Sequence, residues 1–305
     1  MTLTLSDRYR GSLLGLACGD AVGTTVEFSP RGTFKPVTDM VGGGPFQLKA
    51  GQWTDDTSMA LCLAESLLRK NGFDAADQMA RYLNWWQWGY LSSTGDCFDI
   101  GTTVRAALAA FHEQGDPFAG STDPYSAGNG SMMRLAPVVL FYYPDAQRVD
   151  DFARQSSRTT HGAQEAIECC VVLARAISLA LSGVPKAQLL SISTVGLNAP
   201  KVVAIAQGGY RDKSRDQITG SGYAVASLEA ALWCVVNTEC YADAVLMATN
   251  LGDDADTTAA IAGQLAGALY GVQGIPARWL EKVWMRDEIE EMADGLLKAA
   301  SEHPT

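Results

Sequence analysis

The chain has 305 residues, 47% of them hydrophobic and 19% charged, which is enough apolar material for a substantial core and excludes disorder as the dominant state. Its 23 Lys and Arg stand against 34 Asp and Glu, a formal net charge of −11 and the wrong sign for coating a phosphate backbone or an anionic membrane. The seven cysteines are odd in number and include no CxxC pair, which argues against a disulfide framework or a zinc ribbon and for reduced thiols in a cytoplasm.

Arg8 and Arg10 precede the apolar run from Leu13 to Cys18, which imitates a short secretory signal; Asp20 interrupts it and no small-x-small cleavage site follows. The segment reads as a buried helix opening at the cap candidate Ser6-Asp7. The next helix starts between Thr54 and Thr57, carries Met59, Leu61, Leu63, Leu67 and Leu68, and stops at Arg69-Lys70-Asn71-Gly72, a cationic last turn followed by glycine. Comparable segments run over 75–88, 103–113, 162–181, 221–236, 241–247, 257–270 and 287–301. Residues 137–143 are rich in strand formers and read either as a strand or as a buried helix end. Glycine and proline cluster at 42–45, 115–130 and 208–209 without forming a long low-complexity linker, and no solenoid period is present. No apolar run approaches the roughly 18 to 20 residues of a membrane helix. The expectation is one all-α domain over 1–305.

Two of these helices open on unusual densities of oxygen side chains, Thr54-Asp55-Asp56-Thr57 and Asp253-Asp254-Ala255-Asp256-Thr257-Thr258. Ordinary capping needs one such oxygen per helix, and each segment supplies three or more. Carboxylates gathered at one place repel unless something positive sits among them. Asp55, Asp56, Asp254 and Asp256, with Thr54 and Thr257 as neutral oxygens and no adjoining His or Cys, point to Mg²⁺ or Mn²⁺. An EF-hand is excluded, because counting from Asp254 places Ala259 and Leu265 where that loop needs Gly and Glu.

Other segments leave two readings open. Glu27, beyond Gly19-Asp20, is a solvated acid or a site residue. Asp99, between Phe98 and Ile100, is a proton donor with a raised pKa or the N-cap of the helix that follows. The run Gly128-Asn129-Gly130-Ser131-Met132-Met133-Arg134 permits close backbone approach to a phosphate or makes a tight turn. His161, after Ser157-Arg158-Thr159-Thr160, is structural or a group near a phosphate. Tyr223 stacks on a ligand or packs.

Taken together, Gly19-Asp20 with Glu27, Thr54-Asp55-Asp56-Thr57, Phe98-Asp99-Ile100-Gly101, Gly128-Asn129-Gly130 with Met133-Arg134, His161 and Asp254-Ala255-Asp256-Thr257 resemble the ADP-ribosylglycohydrolase family, its arginine-specific members above all. Order and spacing agree over roughly residues 7 to 283. The resemblance implies a compact orthogonal helical bundle with two Mg²⁺ or Mn²⁺ ions at the floor of a cleft. Thr54, Asp55, Asp56, Asp254, Asp256 and Thr257 would be the metal ligands. Glu27 would hold a water at that centre or a ribose hydroxyl, and Asp99, followed by Ile100 and Gly101, would be the acid near the ribose. Gly128 to Arg134 and His161 would meet the diphosphate, and Tyr223 would lie against adenine. Catalysis would fall to Asp99, Asp55 and Glu27.

The implied activity is hydrolysis of the bond between ADP-ribose and an acceptor nitrogen, arginine first, on a protein or small molecule, by a cytoplasmic monomer. The alternatives are hydrolysis of an O-glycosidic ADP-ribosyl bond, on serine or in poly-ADP-ribose, and a non-catalytic binding or immunity role.

Overall fold

The structure is a computed structural model and describes residues 3–302. In chain order its helices are α1 (Leu5–Gly23), α2 (Asp55–Lys70), α3 (Ala75–Trp88), α4 (Thr102–Gln114), α5 (Ala136–Tyr142), α6 (Ala146–Arg158), α7 (Gln164–Leu181), α8 (Pro200–Ala206), α9 (Ala224–Val236), α10 (Tyr241–Thr249), α11 (Ala255–Tyr270), α12 (Ala277–Leu280) and α13 (Arg286–Glu302). Among the described residues, β-pairing is limited to isolated bridges, so the all-α expectation holds. No helix there is long and apolar enough to cross a membrane.

The axis of the fold is an antiparallel seam between α1 and α11. Glycine recurs at every fourth position of α1, at Gly11, Gly15, Gly19 and Gly23, and small residues recur in step on α11, at Ala255, Ala259, Gly263 and Gly267. Side chains four apart share a helix face, so both faces are bare and the backbones meet. A Cβ built on Gly11 would lie 2.2 Å from the Gly267 carbonyl oxygen, on Gly15 2.4 Å from that of Gly263, and on Gly19 2.3 Å from that of Ala259. At the far end, a Cβ on Gly23 would lie 2.4 Å from the Asp256 Cα. The seam therefore brings the last turn of α1 against the first turn of α11. From Tyr9 onward α1 is buried on every side except at Arg10, which makes it the central helix of the core.

Two sequence expectations are corrected and one that was open is decided. α1 opens at Thr4, where the Asp7 N–H donates to Thr4 Oγ1 (3.1 Å) and the Thr4 N–H donates to Asp7 Oδ2 (2.9 Å), rather than at Ser6-Asp7. Residues 137–143 are not a strand; through Tyr142 they lie in α5, with Pro137 in its first turn and every residue of the helix buried. Core packing on all sides overrides the strand preference of Val138, Val139 and Phe141. α6, α8 and α12 were not expected. In α6 the apolar period is present, with Val149, Ala153, Ser156 and Ser157 on the buried face opposite charged residues, but the segment is polar overall.

Candidate active site

The N-caps of α2 and α11 are Thr54 and Asp254, and neither side chain caps its own helix. Ordinary capping therefore does not account for these oxygens. The amides of α2 are satisfied instead by Asp20 of α1, wholly buried. Its Oδ1 accepts from the Thr54 N–H (2.9 Å) and Thr54 Oγ1 (2.9 Å), and its Oδ2 accepts from the Thr57 N–H (3.0 Å) and Thr57 Oγ1 (2.6 Å). An acid from another helix thus caps α2, takes up the Thr54 hydroxyl proton and leaves that oxygen's lone pairs facing the other acids. Thr54 Oγ1 lies 3.2 Å from Asp256 Oδ2, and Thr257 Oγ1 donates to Asp56 Oδ2 at 3.3 Å.

Carboxylate oxygens of Asp20, Asp56 and Asp256 come within 4.8 Å of one another, and so do those of Glu27, Asp99 and Asp256. Asp256 belongs to both groups. Asp56 Oδ1 and Asp256 Oδ1 are buried without a hydrogen-bond partner, a costly state for a carboxylate. Burial, with the charges of neighbouring acids, pushes Asp55, Asp56 and Asp256 well above the usual carboxylate range. Burial and the charges of Asp99 and Asp254 push Glu27 to about 10. Burial raises Asp99 to about 7, against hydrogen bonds with Asp55 and Glu27, and Asp20 to about 6, against its bonds from the two threonines. Unpartnered oxygens, mutual repulsion and a donor set without nitrogen or sulfur fit a hard divalent cation.

Above this cluster opens a cleft of about 840 Å³. Asp55, Asp254, Asp256 and Thr257 reach it, with Glu27, Asp99, Ile100 and Gly101, whereas Thr54 and Asp56 do not line it. Asn129 Nδ2 donates to Asp254 Oδ2 (2.7 Å), tying the glycine loop to the acids. Asp99 is no cap: α4 starts from Gly101, without a side-chain cap bond, and Asp99 sits at φ 61°.

Gly128, Asn129, Gly130, Met133 and His161 also line the cleft. The two glycines let the loop rest on the imidazole, since a Cβ on Gly130 would lie 2.8 Å from His161 Cε1 and one on Gly128 3.2 Å from His161 Nε2. Burial and the charge of Arg134 lower His161 to about 3, so the ring is neutral. Thr160 Oγ1 accepts from Arg134 (2.7 Å) and lies 2.8 Å from His161 Nδ1. With Arg134 donating to it, Thr160 Oγ1 is free to give its own proton to Nδ1, an arrangement in which Nε2–H is the donor at the cleft.

The run from Gly128 to Arg134 divides. Ser131 bonds to Ser157 Oγ (2.8 Å), Met132 is core, and Arg134 is fully buried with its guanidinium 4.7 Å from the Tyr82 ring centroid. These three do not reach the cleft, because Met132 and Met133 both bond back to the Asn129 carbonyl in a helical turn that sends successive side chains in different directions. Arg134 acts on His161 from behind, through Thr160.

An adjoining cavity shares Thr103, Gly128 and Gly222 with the cleft and is lined by Tyr125, Glu165, Lys201 and Tyr223. Tyr223 donates to Glu165, accepts from Lys201 Nζ (3.0 Å), and has that ammonium 5.2 Å from its ring centroid. Sequence reading gave no role to Asp20, Phe28, Tyr125 or Lys201. For Asp20 the signal was a lone acid inside an apolar run; for the others there was none.

The ADP-ribosylglycohydrolase family profile matches residues 1–305. The chain is 49% identical over 294 residues to "ADP-ribosylarginine hydrolase Tri1" of Pseudomonas putida (strain GB-1), covering 96% of this chain and 79% of that protein. It is 33% identical to the ADP-ribosyl-[dinitrogen reductase] glycohydrolase of Rhodospirillum rubrum, over 97% of this chain and 98% of that one. A solved structure titled "ADP-ribosylglycohydrolase-related protein complex" superposes with a TM-score of 0.86 at 44% identity, covering 97% of this chain and 99% of that one.

Proposed function

Since the chain belongs to the ADP-ribosylglycohydrolase family, we propose that it hydrolyses the N-glycosidic bond between ADP-ribose and an arginine side chain, at a centre of two Mg²⁺ or Mn²⁺ ions. The observation that carries this reading is the pair of buried, unpartnered oxygens on Asp56 and Asp256, set among acids and threonines from three helix ends. The arginine acceptor comes from the named activity of the Pseudomonas relative.

Thr54, Asp55 and Asp56 from α2 and Asp254, Asp256 and Thr257 from α11 would hold the ions. When bound, the ions supply Lewis-acid polarisation and orient the ribose hydroxyls. The chain's own groups do the rest. His161 Nε2–H and the amides of the Gly128–Gly130 loop bind the diphosphate as neutral donors. Tyr223, in the cavity continuous with the cleft, receives the adenine. Glu27 or Asp55 takes a proton from the attacking water as its oxygen bonds to C1, Asp99 delivers a proton to the departing nitrogen, and the C1–N bond breaks to free ADP-ribose and the guanidine. The whole chain acts as one domain, and we place the protein in the cytoplasm as a monomer.

The test is incubation with arginine-linked and serine-linked ADP-ribosyl peptides, with and without EDTA. Release of ADP-ribose from arginine peptides, abolished by EDTA and restored by Mg²⁺ or Mn²⁺, is expected. Release from serine peptides alone would overturn the acceptor, and release undiminished by EDTA would overturn the metal centre.

A further inference from the structure

Three phenylalanines outside the buried core meet beside the acid cluster. Phe28 directly follows Glu27, Phe98 directly precedes Asp99, and Phe46 joins them, its ring centroid 6.4 Å from Phe28 and 5.1 Å from Phe98. Phe28 lines the cleft with 65% of its surface exposed. Its backbone is held at φ 62°, with its N–H donating to the Asp253 carbonyl (2.7 Å). A bulky residue in the left-handed region, its ring turned to solvent instead of core, is an outlier that calls for a reason outside packing.

The order of groups along the cleft supplies one. Tyr223 and Lys201 line the adjoining cavity, Gly128 and Gly222 are common to both cavities, and His161, the acids and Phe28 line the cleft. An ADP-ribosyl group whose adenine end lies at Tyr223 and whose distal ribose lies over the acids sends its acceptor past Glu27 and Asp99 toward Phe28. We propose that Phe28, backed by Phe46 and Phe98, is the acceptor subsite and holds the guanidinium side chain of the modified arginine against its ring face. This rests on the arginine reading above. A planar guanidinium stacks on an aromatic face while its N–H groups reach carboxylates at the edge. Glu27 and Asp99, each the chain neighbour of one of these rings, place carboxyl oxygens beside them to accept from the guanidinium N–H groups. A neutral serine acceptor would gain nothing from such a wall.

The test compares wild type with Phe28→Ala, Phe28→Leu and Phe28→Trp in three measurements: KM for ADP-ribosyl-agmatine, calorimetric affinity for ADP-ribose, and calorimetric titration of agmatine into protein saturated with ADP-ribose. A cation on an exposed ring predicts a KM raised about two- to fivefold in Phe28→Ala and Phe28→Leu, with Phe28→Trp near wild type. Agmatine affinity should fall in parallel, while affinity for ADP-ribose, which lacks an acceptor, stays unchanged. Agmatine binding equal in wild type and Phe28→Ala, retention of wild-type KM by Phe28→Leu, or an equal loss of ADP-ribose affinity would overturn the subsite. A wild type that binds agmatine in a ring-dependent way yet leaves ADP-ribosyl-agmatine intact would overturn the hydrolase reading and leave the subsite standing.

Discussion

Closing the seam between α1 and α11 is what puts Asp20 beside the first turns of α2 and α11, so opening it at two heights separates stability from site geometry. Gly11→Ala and Gly19→Ala place a Cβ 2.2 Å and 2.3 Å from a carbonyl oxygen of the facing helix, about 1 Å short of the 3.4 Å at which ordinary contact begins. The obstacle in both cases is backbone, so the helices themselves must part. Overpacking costs about 1–3 kcal/mol, here toward the upper end, and the better helix propensity of alanine returns about 1 kcal/mol. Each variant should therefore lose about 1–2 kcal/mol, or roughly 2–8 °C in Tm. Their metal binding should differ. Gly19 adjoins Asp20, and a 1 Å displacement there exceeds the few tenths of an ångström that a coordination sphere tolerates. Gly11 lies about 12 Å away along the helix. Thermal melting and Mg²⁺ calorimetry on both variants check this: Gly19→Ala should bind Mg²⁺ far more weakly, and Gly11→Ala as wild type does. A Gly11→Ala protein as stable as wild type, or a Gly19→Ala protein with undiminished Mg²⁺ affinity, would refute the reasoning.

Asp256→Ala should abolish hydrolysis and metal binding together, and calorimetry showing unchanged Mg²⁺ affinity would remove Asp256 from the ligand set. Asp20→Ala strands two amides and two hydroxyls at the start of α2 and should cost about 2–4 kcal/mol with reduced Mg²⁺ affinity. Asp20→Asn keeps one accepting oxygen and should fall between, and full Mg²⁺ affinity in Asp20→Ala would deny Asp20 its hold on Thr54. Without metal, Asp20, Asp99 and Glu27 have folded-state pKa values raised to about 6, 7 and 10, so the folded state binds more protons than the unfolded one. Their stabilising contribution is full below the ordinary carboxyl range near pH 4 and is lost as pH climbs through those values. In EDTA the Tm should fall from about pH 5 to about pH 9, saturating Mg²⁺ should suppress most of the fall, and Asp55→Asn or Asp256→Asn should flatten it. A Tm in EDTA that rises over that range would contradict the repulsion assigned to these acids.

What could be read before the structure was whatever is local in the chain. The helix of α2 was legible from its apolar periodicity and its Asn71-Gly72 stop, and the oxygens of Thr54 to Thr57 and Asp254 to Thr257 were legible as too many for caps. Asp20 stood out as an acid in an apolar run and as part of the Gly19-Asp20 motif but had no role, because the amides it caps are 34 and 37 residues away in sequence. The four-residue glycine period of α1 was present but carries no hydrophobic signal, since it marks a face defined by missing side chains. Arg134 was placed with its loop neighbours because adjacency in sequence does not say which way a helical turn sends each side chain. The meeting of Phe28 and Phe98 through Phe46 joins two connections, α1 to α2 and α3 to α4, and has no sequence signature.

The most direct test of the metal centre is anomalous scattering from crystals of the protein grown with Mn²⁺. Two manganese peaks are expected, both among the oxygens of Thr54, Asp55, Asp56, Asp254, Asp256 and Thr257. Density showing only water against Asp56 and Asp256, or manganese bound elsewhere, would mean that these buried acids hold no catalytic ion.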